Sequence, residues 1–176
     1  VFAGARPAAP RLVEVSGLRD ATQLSGDMTV CALRKSGRTS CVRQSSKAGA
    51  AAPRYEAEGP GRSTFQGAVR FSMGALASCA ITARGTVICQ SQMGAALRGT
   101  GLTEQAASDA PVKGVTDAVD VSIGAGHACA ALATGRIVCW GSNDGDALGG
   151  GESPVSLVPV EANFTATVSF KKANLS

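Results

Sequence analysis

Six cysteines fall into three pairs, and the pairs recur at nearly fixed intervals. Cys31 and Cys41, Cys79 and Cys89, and Cys129 and Cys139 are each ten positions apart, and the pairs follow one another after 48 and then 50 residues. A period in this range is the mark of a repeat architecture, in which each copy is one supersecondary unit.

The neighbours of the cysteines repeat as well. Shifted by 50, Ala68, Val69, Ser72, Gly74, Cys79, Ala80, Gly85, Val87 and Cys89 fall on Ala118, Val119, Ser122, Gly124, Cys129, Ala130, Gly135, Ile137 and Cys139. The first copy, after a one-residue gap, keeps Gly17, Asp20, Ala21, Ser25, Gly26, Cys31, Ala32, Gly37 and Cys41. The copies occupy about residues 13–62, 63–111 and 112–158 of a single domain. Residues 159–176 restart the pattern, as the opening strand of a fourth copy or a closing strand.

Each copy reads as short strands around one tight hairpin. Alternating runs such as Ala118–Ile123 have the period of a strand. Between Cys129–Leu132 and Arg136–Trp140 stand three residues ending in Gly135, with Gly85 and Gly37 at the same place in the other copies. A three-residue hairpin loop calls for a left-handed residue at its third position, which glycine supplies without steric cost. Centring the loop on Thr134 sets Cys129 directly opposite Cys139, and the same arithmetic pairs Cys79 with Cys89 and Cys31 with Cys41. Directly opposed Cβ atoms are close enough to bridge with a small adjustment. Three disulfides are therefore expected. Reduced core cysteines are the first alternative. Structural zinc is the second, though its ligands come in sets of four at closer spacing. Disulfides imply an oxidising setting: secreted, periplasmic or within an organelle lumen.

The third copy resembles the repeat of the regulator of chromosome condensation family, a seven-bladed β-propeller. The resemblance is carried by Gly124-x-x-His127, Thr134-Gly135, Ile137-Val138-x-Trp140-Gly141, Ser142-Asn143 and Gly145-x-x-Leu148-Gly149. The cysteine pair looks like the variant of exported relatives. The second copy has Ala77 for the histidine and Gln90-Ser91 for the Trp-Gly pair, and the first has Thr29 and Val42-Arg43. The resemblance implies an all-β fold of about three to three and a half four-stranded antiparallel blades, half of a seven-bladed ring. It gives His127 a part in hydrogen bonding within the blade and Trp140 a part in blade packing. Residues 44–64 depart from the pattern and read as a loop. A propeller has to close, because bare blade faces and sheet edges are costly. A second copy could complete the ring, a partner could cover the open side, or the chain could belong to a longer protein.

The remaining candidates are weaker. Asp144, Asp146 and Glu152 lie among glycines, where calcium is conceivable, but an ordinary turn accounts for them without a full ligand set. Asn163 and Asn174 each head an Asn-x-Ser/Thr acceptor pattern for glycosylation. His127, the one histidine, has no nucleophile or carboxylate at a defensible spacing for catalysis.

Charge adds little. Residues 1–70 carry 11 Lys/Arg against 5 Asp/Glu, and residues 71–176 carry 6 against 8. The basic half holds only Phe2, Tyr55 and Phe65 as aromatics, a poor platform for nucleic acid. No apolar run approaches the roughly 20 residues of a membrane-spanning helix, so membrane contact is expected only through partners. The chain opens on Val1 without a basic-then-apolar leader, which fits either a removed leader or a segment of a longer protein.

The expectation is a non-catalytic protein-binding propeller module, a structural or accessory subunit of a larger extracytoplasmic assembly, with no cofactor. Its partner is another protein or a second copy. A guanine nucleotide exchange factor-like regulator and a secreted propeller-type enzyme inhibitor are the alternatives.

Overall fold

A computed structural model describes residues 14–27, 29–45, 54–57, 65–75, 77–92, 94–103 and 110–163. The described residues are all-β apart from two short 3₁₀ turns, Ala96–Arg98 and Asp144–Asp146. Three antiparallel sheets follow in chain order. The first contains β1 (Ala21–Gly26), β2 (Val30–Arg34), β3 (Thr39–Ser45) and β4 (Arg54–Ala57) in that spatial order. The second contains β5 (Ala68–Met73), β6 (Ala77–Thr82) and β7 (Val87–Ser91). The third contains β8 (Ala118–Ile123), β9 (His127–Leu132), β10 (Ile137–Ser142) and β11 (Val155–Glu161).

The hairpins form at the expected register. Cys31 faces Cys41, Cys79 faces Cys89 and Cys129 faces Cys139. All three pairs are disulfide-bonded, with Cα–Cα distances of 3.9, 4.1 and 4.1 Å. The close approach follows from the ladder. The Leu132 N–H donates to the Arg136 carbonyl at 2.9 Å. Alternation from that bonded pair places Cys129 and Cys139 at a non-hydrogen-bonded site, where side chains are nearest. Gly37, Gly85 and Gly135 have φ of 75°, 75° and 84°, the left-handed region that closes this turn without a Cβ clash.

The outer strands depart from a uniform four-stranded blade. Among the described residues the second sheet has three strands, with a single bridge between Ile88 and Pro111 beyond them. Proline has no N–H to give a ladder. In the third sheet the matching stretch is the seven-residue β11, which carries Pro159 where its register against β10 shifts and pairs Val138 with Glu161. In the first sheet, Arg54–Ala57 lies inside the stretch read from sequence as a loop, yet it pairs with β3 from Val42 to Ser45. An unpaired edge on β3 offers backbone groups that a nearby extended segment satisfies.

The core lies between the sheets. One cluster joins Cys31 and Leu33 of the first sheet to Ala68, Phe71 and Ala80 of the second, with Phe65. A larger one joins Cys79, Ile81, Val87 and Cys89 of the second to Ala118, Val121, Ala130, Val138 and Trp140 of the third. Each sheet thus presents its disulfide face to the opposite face of the next. Ala68, Ala80, Ala118 and Ala130 in these clusters leave room for the larger Phe71, Ile81 and Trp140 between the sheets.

Candidate functional site

The junctions between sheets are built from three recurring devices. First, the hairpin glycine of one sheet holds the start of the next. The Ala68 N–H donates to the Gly37 carbonyl at 3.0 Å, and the Ala118 N–H to the Gly85 carbonyl at 2.9 Å. Second, a serine on the first strand accepts from the next first strand. The Ser25 Oγ accepts the Met73 N–H at 2.9 Å, and the Ser72 Oγ accepts the Ile123 N–H at 3.2 Å. Third, apolar residues on β5 and β8, Phe71 and Val121, are inserted under the preceding disulfide face.

Each junction adds one contact of its own. At the first, both ends of the Gln23 amide are used. Its Nε2 donates to the Phe71 carbonyl at 2.9 Å and its Oε1 accepts the Phe71 N–H at 3.1 Å. At the second, Trp140 is fully buried and its Nε1–H donates to the Leu97 carbonyl at 3.0 Å. Its ring lies over Gly99, where a Cβ would stand 2.9 Å from the indole Cδ1. Trp140 therefore packs one sheet on the next. Gln23 drew no notice in the sequence. Ser25 and Ser72 recur in the repeat, and that recurrence was their signal.

His127 opens β9, just after the turn from β8. Its backbone carbonyl accepts from the Gly124 N–H at 2.8 Å. Its half-buried imidazole lies against Gly124, where a Cβ would come within 2.5 Å of the ring. Among the described residues the ring makes no hydrogen bond. The loop after Trp140 is organised by Asn143 instead. The Asn143 Nδ2 donates to the carbonyls of Gly151 and Ser153 at 3.0 and 3.1 Å, and its Oδ1 accepts the Leu148 N–H at 3.1 Å. Asp144 is tied to Ser142, whose Oγ donates to its Oδ2 at 2.7 Å. Among the described residues no three His, Cys, Asp or Glu side chains converge as a metal site. Asn163 is exposed just past β11. Asn174 lies outside the described residues.

Two surfaces remain for a ligand. The first strands β1, β5 and β8 lie side by side and enclose a shallow cleft of about 310 Å³ lined by Thr22, Gln23, Arg70, Val119 and Asp120. Arg70 and Asp120 put opposite charges on its walls, and one Asp120 oxygen already accepts the Val121 N–H at 3.0 Å. Such a cleft can hold a polar group by hydrogen bonds. The described residues place no activated nucleophile or acid–base pair in it. The second surface is the pair of sheet faces at either end of the series. On the first of them Leu24 and Val30 are exposed apolar side chains.

Electrostatic ties lie at the hairpins and away from the cleft. Arg136 holds Glu161 through two hydrogen bonds of 3.0 and 2.7 Å, fastening β11 to the turn beside β10. The hydrogen bond from Arg136 lowers the Glu161 pKa, and the same contact raises that of Arg136. The hydrogen bond from the Arg34 Nε, at 2.8 Å, lowers the Asp20 pKa.

Residues 118–145 match the model of the Regulator of chromosome condensation (RCC1) repeat. No curated protein sequence matches the chain. Among solved structures, the chain is similar to one in the crystal structure of Kap60 bound to yeast RCC1 (Prp20), with TM-score 0.61 and 16% identity over 86% of this chain and 37% of that one. It is likewise similar to Prp20p from Saccharomyces cerevisiae, described with its binding properties to Gsp1p and histones, at TM-score 0.60 and 17% identity over 86% of this chain and 40% of that one. Human WBSCR16 gives TM-score 0.57 and 18% identity over 82% of this chain and 40% of that one. The chain spans about two fifths of the length of these structures. Residues 118–145 of the third sheet are thus similar to an RCC1 repeat, and the chain as a whole has the fold of part of an RCC1-type β-propeller.

Proposed function

We propose that the chain is a non-catalytic, protein-binding propeller module, a structural or accessory part of a larger assembly outside the reducing cytoplasm. The observation that carries this reading is a repeat of three antiparallel sheets packed face to face, each clipped by its own disulfide. Stable disulfides belong to oxidising compartments. Protein partners are what the similar structures hold or are described with: Kap60 for yeast RCC1, and Gsp1p and histones for Prp20p.

Likeness to yeast RCC1 supports a second reading, a regulator acting on a GTPase as an exchange factor. The disulfides weigh against it, because such a target works among reduced thiols. One preparation separates the two readings. The tagged chain is isolated from its host under non-reducing conditions, and its intact mass and free thiols are measured under native conditions. The expected result is no free thiol and a bound polypeptide. Six free thiols would favour the exchange-factor reading. A chain that is always a bare monomer would sink the assembly.

A further inference from the structure

Arg98 ends the short turn Ala96–Arg98 that follows β7 and holds Trp140 of the third sheet through the Leu97 carbonyl. The turn belongs to the repeat. Gly94-x-x-Leu97-Arg98 in the second copy answers Gly145-x-x-Leu148-Gly149 in the third. Leu97 and Leu148 are buried alike. The next position differs. The third copy has a glycine there, while the second has an arginine that is only 6% exposed. The repeat thus folds without a guanidinium at this place, and its presence in the second copy calls for another reason.

A buried guanidinium needs acceptors. Its N–H donors are costly to desolvate unpaired, and it cannot relieve the cost by losing its proton. The Arg98 Nε is buried and has no hydrogen-bond partner. The carbonyls of its own turn are already engaged. Those of Ala95, Ala96 and Gly99 accept the N–H groups of Arg98, Gly99 and Lys113 at 3.0, 3.2 and 2.9 Å, and that of Leu97 accepts the Trp140 Nε1–H at 3.0 Å. Among the described residues the ion pairs are Arg19–Glu14, Arg34–Asp20 and Arg136–Glu161, and none reaches Arg98. The turn gathers a second cation instead. The exposed Lys113 runs along Gly101, its Nζ 3.9 Å from where a Cβ would stand. Two positive charges therefore flank the Gly99–Gly101 turn, and no described carboxylate pairs with either.

We propose that Arg98 anchors an oxyanion site, in which a carboxylate, phosphate or sulfate group accepts hydrogen bonds from its guanidinium and Lys113 adds charge from the rim. The planar fork of an arginine matches two oxygens of such a group. The bound group answers a charge that the fold leaves unpaired, so it stabilises the junction that the turn covers. The site lies between the second and third sheets and is independent of the reading of the chain as a protein-binding module.

The test titrates the purified, oxidised chain with sodium phosphate, sulfate or acetate, against chloride at matched pH and ionic strength. The Arg98 Nε–H resonance, followed by NMR, is expected to shift saturably in at least one of the three. At about fivefold its dissociation constant that anion should raise Tm by about 2–4 °C. Arg98→Leu should abolish this rise while keeping the general effect of excluded salts such as sulfate. It should also be no less stable than the wild type in chloride, because it removes an uncompensated buried charge. Lys113→Gln should weaken binding about two- to fivefold, the worth of one exposed charge. A response to phosphate and sulfate alone assigns the site to a tetrahedral oxyanion, and a response to acetate assigns it to a carboxylate. An Nε–H resonance that stays unmoved in all three salts overturns the proposal. So does an equal rise in Tm in the wild type and Arg98→Leu. Should Arg98→Leu lose its fold, the Nε–H titration of the wild type decides alone.

Discussion

The second and third sheets share a turn, a disulfide register and a first strand, but they lie in different surroundings. The second is covered on both faces, and β6 is buried at every position from Ala77 to Ile81. The third is covered on one face, and β9 alternates buried with half-buried. The third also carries β11, an Asn143-centred loop and the Arg136–Glu161 pair, where among the described residues the second has a single bridge at Pro111.

Four experiments probe this contrast. The largest effect is expected at the junction. Trp140→Ala should cost about 3–5 kcal/mol, the usual range for emptying a buried aromatic site. Gln90→Ala, at the matching position of the second sheet, should cost about 1 kcal/mol. Urea unfolding of both variants measures the difference, and equal losses would deny Trp140 its special role.

Next come the disulfides. Replacing Cys79 and Cys89 together by alanine should cost about 2–4 kcal/mol. The Cys129 and Cys139 pair closes a loop of equal length, so its chain-entropy contribution is the same. Its smaller measured loss would report the thinner packing of the end sheet. Thermal unfolding without reductant reads both.

The hairpin glycines give a sharper, smaller test. Gly135→Ala should cost about 1–2 kcal/mol, the penalty for a left-handed alanine. Gly85→Ala carries that same penalty, and its new Cβ meets the Thr116 carbonyl at 2.7 Å. It should lose about 1–3 kcal/mol more from overpacking. Matched losses would mean that the junction yields freely.

The smallest effect concerns Glu161. Its folded pKa lies below its unfolded value because Arg136 donates hydrogen bonds to it. Its contribution is therefore present above the ordinary carboxylate range and fades as pH falls through the depressed folded value. The pair is exposed, so Glu161→Gln should lower the melting temperature only slightly at neutral pH. The gap should close in acid and shrink in high salt. A gap that persists in acid would assign the effect to packing.

Much of each sheet was legible in the sequence because its contacts are local. A turn glycine and two cysteines ten residues apart settle a hairpin by themselves. The junctions were legible only where a residue recurs, as Ser25, Ser72 and Ser122 do, or where a resemblance marks it, as with Trp140. Gln23 was not legible, since its partner Phe71 lies 48 residues away and neither residue type announces the contact. Arg54–Ala57 was hidden in a stretch of loop composition, because the edge of β3 decides its strand pairing rather than its own pattern. Pro111 could have been read as a poor strand residue, but the repeat called for a strand there. The uncovered faces were invisible for a different reason. Burial at Leu24 or Ala131 depends on which sheet comes next, and a repeat pattern describes each copy without its neighbour.

The placement of the disulfides also governs how the chain would respond to a pull on its ends. Every bridge lies inside one sheet, and none of the three crosses a junction. Under tension the sheets would part from one another before any hairpin could open. Each bridge would then withhold ten residue steps from extension, roughly 35 Å of contour apiece. The stretched chain would be a string of three knotted beads rather than a thread, and reduction would release the hidden length.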